Sequence, residues 1–124
     1  MKLHLASAPG AHWVTGYGQG YVLIDAQRYE ASLILLPDRV IADWAVASVS
    51  ALTAEHLAAL LPLKPELVLL GTGSRLCFPS PAVLAGLIQC DIGVEVMDTQ
   101  AACRTYNILA AEGRRVAAAL IIDT

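Results

Sequence analysis

The stretch VEVMDTQAACRTYNILAAEGRRVAAALII, residues 94–122, decides the fold class. Val94–Met97, entered from a turn at Asp91-Ile92-Gly93, reads as a strand. Asp98 then stands where a helix N-cap belongs, its carboxylate placed to accept orphan backbone N–H groups. Thr99–Glu112 carries a helical stripe through Ala102, Tyr106 and Leu109, widened by Ala101, Thr105 and Ile108. Gly113 suits the left-handed residue that closes a helix. Val116–Ile122 is fully apolar, as in a strand covered on both faces. Strand, helix, strand is thus written into 29 residues.

The same grammar extends upstream. Leu67-Val68-Leu69-Leu70 reads as a second covered strand, and Ser80-Pro81 opens a helix running to about Cys90, with Ser80 as cap and Pro81 at the first helical position. Asp91-Ile92-Gly93 turns the chain into Val94. Farther back, Thr53 caps a short helix with Leu57, Leu60 and Leu61 as its apolar stripe, stopped by Pro62 and Pro65. Before Thr53 the period is two. Trp13–Gly20, Tyr21–Asp25, Ser32–Leu36 and Arg39–Val46 read as strands, with Ala26–Arg28 as a turn and Val40, Ala42, Trp44 and Val46 on one face. Close spacing and tight turns predict an antiparallel meander. The expected architecture is α/β, one domain over residues 1–124.

Composition narrows the function classes. The 124 residues are 56 % hydrophobic and 15 % charged, which excludes disorder. Net charge is −3, with two Lys and six scattered Arg, so a nucleic-acid surface is not expected. The longest apolar run, Val116–Ile122, is far short of the roughly 18 residues that span a bilayer. Nothing at the N-terminus reads as an export or organelle leader, which predicts a cytoplasmic setting. Cys77, Cys90 and Cys103 form no C-x-x-C pair and are expected to be buried free thiols. His4, His12 and His56 have no metal-site spacing, no nucleophile–base arrangement can be assembled, and no cofactor is implied. Trp13 and Trp44 are expected core anchors.

The run Glu95–Thr99, then Ala101–Leu109, then Glu112–Val116, with Leu70-Gly71-Thr72-Gly73, Tyr17-Gly18 and Trp44, strongly resembles a family of small α/β domains of unknown function that includes the mitochondrial complex I assembly factor three. The resemblance covers Tyr17 to Ile122. It implies three layers: a mixed central sheet, helices on its faces and an added N-terminal antiparallel β layer. It further implies an antiparallel last strand, where the strand–helix–strand pattern alone predicts a parallel one. No catalytic residues come with it. It implies a bacterial member, an assembly-factor-like role and protein partners; self-association is open.

One place resembles a ligand site. Gly71-Thr72-Gly73 follows a covered strand, where glycine lets backbone N–H groups approach an anion, and Asp98 ends a strand 27 residues on. Asp98 is also the expected helix cap. Arg104 and Asn107 lie three apart on the following helix and would rim the same crevice, taking a small molecule or nucleotide. Leu76 stands where a dinucleotide fingerprint needs its third glycine, and the helix starts only at Pro81. The competing readings are an Asn107 that satisfies backbone groups, a Glu95–Arg104 ion pair, and Arg114 and Arg115 at a helix's negative end.

Overall fold

A computed structural model of the chain describes residues 10–123. Eight strands form two sheets: β1 (Val14–Gly18), β2 (Tyr21–Ile24) and β3 (Gln27–Tyr29) make a small antiparallel sheet. The larger sheet has β4 (Leu33–Leu36), β5 (Arg39–Ile41), β6 (Leu67–Gly71), β7 (Gly93–Met97) and β8 (Val116–Leu120), in the order β5-β4-β8-β6-β7. Among the described residues the α-helices are α1 (Ala54–Ala58), α2 (Pro81–Gln89) and α3 (Thr99–Ala111), with short 3-10 turns at Val49–Ala51 and Leu61–Leu63.

Residue alternation in the large sheet explains the layers. Leu33, Leu35, Leu69, Val116, Ala118 and Leu120 pack on one face against Val14, Val22, Ile24, Ala102 and Tyr106. Ile34, Leu36, Val68, Leu70, Ala117, Ala119 and Ile121 pack on the other face against Trp44, Leu57, Leu60 and Leu87. One face therefore carries α3 and the small sheet, the other α1 and α2. The three-layer α/β architecture with a mixed central sheet is the one expected. The alanines of β8 are the reason helices lie close on both sides, since each removes bulk from the central strand.

The connections follow from strand order. The chain leaves β6 for β7 on the sheet's edge, then returns past β6 to β8. Two crossovers of the usual right hand, moving in opposite directions, place their helices on opposite faces. That is where α2 and α3 lie. The last strand is parallel to β6 and antiparallel to β4. The strand–helix–strand pattern is thus correct for one neighbour, and the antiparallel expectation for the other.

The first half departs from a continuous meander. Three strands pair as β1-β2-β3 and β4 pairs with β5, but β4 also pairs with β8, because its four buried residues, three leucines and one isoleucine, need cover on both faces. Asp25 and Ala26 make the hairpin turn with φ of 53° and 67°, leaving Gln27 and Arg28 in β3 rather than in the turn. Arg39–Val46 is a strand only to Ile41. Beyond it Trp44 and Val46 fold under the α1–α2 layer, held by Trp44 Nε1 donating to the His56 carbonyl (3.1 Å) and Ser32 Oγ donating to the Val46 carbonyl (2.6 Å). Val40 packs on the opposite side of the sheet, so Val40 and Trp44 do not share a face.

Helix ends follow the sequence closely. Thr53 Oγ1 accepts from the His56 N–H (3.3 Å) while His56 Nδ1 accepts from the Thr53 N–H (2.9 Å). His56 is thus a capping partner. Ser80 precedes α2 without a side-chain cap bond. At the end of α3, Gly113 (φ 81°) donates to the Ala110 carbonyl and Arg114 to that of Leu109, the paired closure a left-handed residue allows. On α3, Tyr106 is buried and Leu109 half-buried, but Ile108 is 61 % exposed. Of the cysteines, Cys103 is buried; Cys77 and Cys90 are exposed, correcting the expectation of three buried thiols. His4 lies outside the described residues.

Candidate functional site

The carboxyl end of β6 is where a crevice was expected, and main-chain bonds close it. Thr72 donates to the Met97 carbonyl (2.8 Å) and Thr99 to the Gly73 carbonyl (2.9 Å), so pairing between β6 and β7 continues beyond both strands. Gly71 permits this closeness: a Cβ there would lie 3.0 Å from Thr99 Cα and 2.9 Å from its Oγ1. Buried Thr99 then acts as a hub. Its hydroxyl donates to the Ile121 carbonyl (2.6 Å) and accepts from the Gly73 N–H (2.8 Å).

Two further main-chain donors of the loop, those of Ser74 and Cys77, are also taken. Ser74 N–H donates to Asp123 Oδ1 at 3.0 Å, and the Asp123 carboxylate fills the space where a Gly73 side chain would stand. Gly73 has φ of 100°, a conformation that suits glycine. Thr72 Oγ1 accepts from the Cys77 N–H (3.2 Å) and donates to the Arg75 carbonyl at 2.6 Å. Asp98 Oδ1 caps α3 by accepting from the Ala101 N–H at 2.9 Å. A backbone cradle for an anion needs free N–H groups. Here a protein carboxylate and a hydroxyl occupy those of Gly73 and Ser74.

An opening remains beside this knot, on the side of the small sheet. It is a cavity of about 340 Å³ between Gly73 and Asp123, the α3 residues from Asp98 to Gln100, and the β1–β2 turn at Gln19. Gly73 and Asp98 line it. Gly71 and Thr72 do not, and neither do Arg104 and Asn107. With Asp98 and Asp123 both on its wall, the cavity is electrostatically unfavourable for an anion.

Arg104 and Asn107 instead dock the small sheet. Asn107 Oδ1 accepts from the Val14 N–H at 3.0 Å and Nδ2 donates to the Val14 carbonyl at 2.8 Å. Arg104 donates to the Tyr17 hydroxyl at 2.8 Å, in place of an ion pair with exposed Glu95. That hydrogen bond holds the Arg104 pKa above its ordinary value. Tyr106 donates to the His12 carbonyl at 2.9 Å, and burial, foremost, pushes its phenol pKa up. Arg114 pairs with Glu66, and Arg115 with the Leu63 carbonyl and Asp38, so both tie segments together. Sequence alone could not pick out Asp123, since a lone acid after an apolar strand carries no spacing signal.

A sequence model of the family "Protein of unknown function (DUF498/DUF598)" matches residues 14–121. The chain belongs to this family. Among DUF498/DUF598 relatives, the chain is similar to "NADH dehydrogenase [ubiquinone] 1 alpha subcomplex assembly factor 3" of Bos taurus, 37 % identical over 116 residues. The alignment covers 92 % of this chain and 62 % of that protein, so the chain spans about three fifths of the relative's length. It is also similar to a "13 kDa major membrane protein" of Francisella tularensis, 27 % identical over 106 residues, covering 85 % and 86 % of the two chains. A crystal structure of a Bordetella parapertussis protein superposes with a TM-score of 0.88 at 42 % identity, covering 94 % of this chain and all of that one. Among the described residues no helix is long and apolar enough to cross a membrane, and no group of three or more His, Cys, Asp or Glu is placed to hold a metal.

Proposed function

We propose that this chain is a non-enzymatic protein-interaction domain that serves the assembly of a respiratory complex in the cytoplasm of a bacterium. The observation that carries the reading is the occupied loop. Gly73 and Ser74 N–H groups are bonded to Thr99 and Asp123, which takes from the crevice the two glycine-loop donors that a nucleotide phosphate would use. Asn107 and Arg104 of α3 are spent in the same way, on the main chain of β1 and on Tyr17. Relatives named as complex I assembly factors supply the process.

The nucleotide-binding alternative has the cavity beside Gly73 and Asp98 in its favour, and two carboxylates against it. The test is genetic and biochemical. In a bacterium that carries this gene and a multi-subunit NADH dehydrogenase, deletion is expected to lower NADH-driven quinone reduction in membranes. Partly assembled subcomplexes should then accumulate on native gels, and the gene supplied in trans should restore both. Normal assembly in the deletion strain would overturn the reading.

A further inference from the structure

From Leu76 to Cys90 the chain has no charged residue, yet Leu87 is the one residue there that is buried. Leu76, Phe78 and Ile88 are 55–70 % exposed. On α2, the side away from Leu87 is formed by Ala82, Ala85, Gly86 and Gln89, and space above Gly86 is open, with nothing within 4 Å of an added Cβ. A helix apolar all round is ordinarily covered. This one is covered on one side only.

Charges return at the two ends of this surface with opposite signs. Arg75 sits at the carboxyl end of β6, where its carbonyl accepts from Thr72 Oγ1. Asp91 sits at the opposite end of the layer, two residues before Gly93, which pairs with Leu67 at the start of β6. Both side chains are exposed, and among the described residues neither has an ion-pair partner. A surface with a positive end, an apolar middle and a negative end is complementary to itself after a two-fold rotation.

We propose that the occupant of this face is a second copy of the chain, with α2 packed antiparallel on its counterpart. Arg75 of each copy then faces Asp91 of the other, Gly86 and Ala82 allow the helices to approach, and Leu76, Phe78 and Ile88 are covered. An anionic lipid surface is a poorer match for a chain of net charge −3 with one arginine at this face. Arg75–Asp91 offers at most seventeen residues a side, below the roughly 20–30 of a standard stable interface, so the dimer is weak.

Sedimentation of the full chain over about 5 µM to 1 mM brackets the dissociation constant of a weak pair. A reversible monomer–dimer equilibrium is expected, and Gly86→Arg should weaken it about tenfold or more. Arg75→Glu alone and Asp91→Lys alone should each weaken it about fivefold or more, because both place like charges opposite each other. Mixing those two variants should restore association, since every facing pair is then opposite in sign. Thermal melting of each variant checks that it is folded. A chain monomeric throughout, or a dimer insensitive to these changes, would overturn the proposal. So would a mixture that stays monomeric, or binding to anionic vesicles where self-association is absent. None of these outcomes bears on the deletion phenotype, so the assembly role stands or falls separately.

Discussion

Asn107 on α3 and Val14 on β1, 93 positions apart, are joined by both arms of one side-chain amide, with N–H donation at 3.0 Å and carbonyl acceptance at 2.8 Å. This contact lies at the irregularity between Val14 and Gly16, where the register of β1 against β2 shifts. A strand that breaks its ladder leaves main-chain groups to be satisfied from elsewhere. The amide of Asn107 does so in the buried layer between the small sheet and the helix.

Asn107→Leu is therefore expected to destabilise the fold by about 2–6 kcal/mol, because two buried main-chain groups lose their partner at ~1–3 kcal/mol each. Urea denaturation gives the size. Hydrogen exchange gives the place: amides of β1 and β2 should lose protection before those of β6 and β8. Uniform loss across both sheets would show that the amide is not a local clamp.

Two glycines should respond to alanine with opposite signs. At Gly71 the new methyl meets Thr99 Cα at 3.0 Å and Oγ1 at 2.9 Å, within main chain that has no room to move. Overpacking of that kind costs about 1–3 kcal/mol. At Gly86, inside α2 with open space above it, alanine is expected to stabilise by about 0.5–1 kcal/mol through helix propensity. Paired thermal melts at a concentration where the chain is monomeric decide both.

Local signals in the sequence carried the second half of the fold. Capping by Asp98, closure at Gly113 and the apolar runs of β6 and β8 each rest on neighbouring residues, and each was legible. The strands of the first half and their antiparallel hairpins were legible too, but the pairing of β4 with β8 was not, because it depends on a contact some 85 residues away that no turn announces. Ile108 and Leu109 show the same limit: one helix stripe does not say how wide its cover is. At the site, glycines after a strand are a fair sign of close main-chain approach, and Gly71 does admit Thr99. What approaches Gly73 is Asp123, and sequence spacing cannot distinguish a bound anion from an internal carboxylate. Arg104 and Asn107 were correctly neighbours on α3, but the surface they face is the small sheet.

Alkaline pH should weaken the fold through Cys103. Burial, chiefly, raises its thiol from the ordinary 9.0 to about 12, against a smaller lowering by Arg104. Below pH 9 both folded and unfolded chains hold the proton, and the full stability is present. Between 9 and 12 the unfolded chain releases it and the folded chain does not, so stability falls as pH rises. Tyr106, raised in the same direction, extends the loss upward. Cys103→Ala should flatten the slope of urea midpoint against pH between 9 and 12, and an unchanged slope would remove the thiol from the account. With a thiol reagent at neutral pH, Cys77 and Cys90 should react readily in the native chain, and Cys103 only after unfolding.

Anion binding tests the loop itself. A phosphate at Gly73 and Ser74 would have to displace the Asp123 carboxylate from the Ser74 N–H and the Thr99 hydroxyl from that of Gly73. It would do so beside Asp98, whose charge already occupies the positive end of α3. Titration calorimetry with NAD, ATP and inorganic phosphate at about 1 mM is expected to give no saturable heat, because each ligand exchanges an internal bond for an external one and pays repulsion besides. Asp123→Asn removes one repelling charge and leaves an amide oxygen on Ser74, so it too should stay silent. Low-micromolar binding by the native chain, lost on Gly73→Val, would reverse the preference and make the cavity beside the loop a nucleotide site.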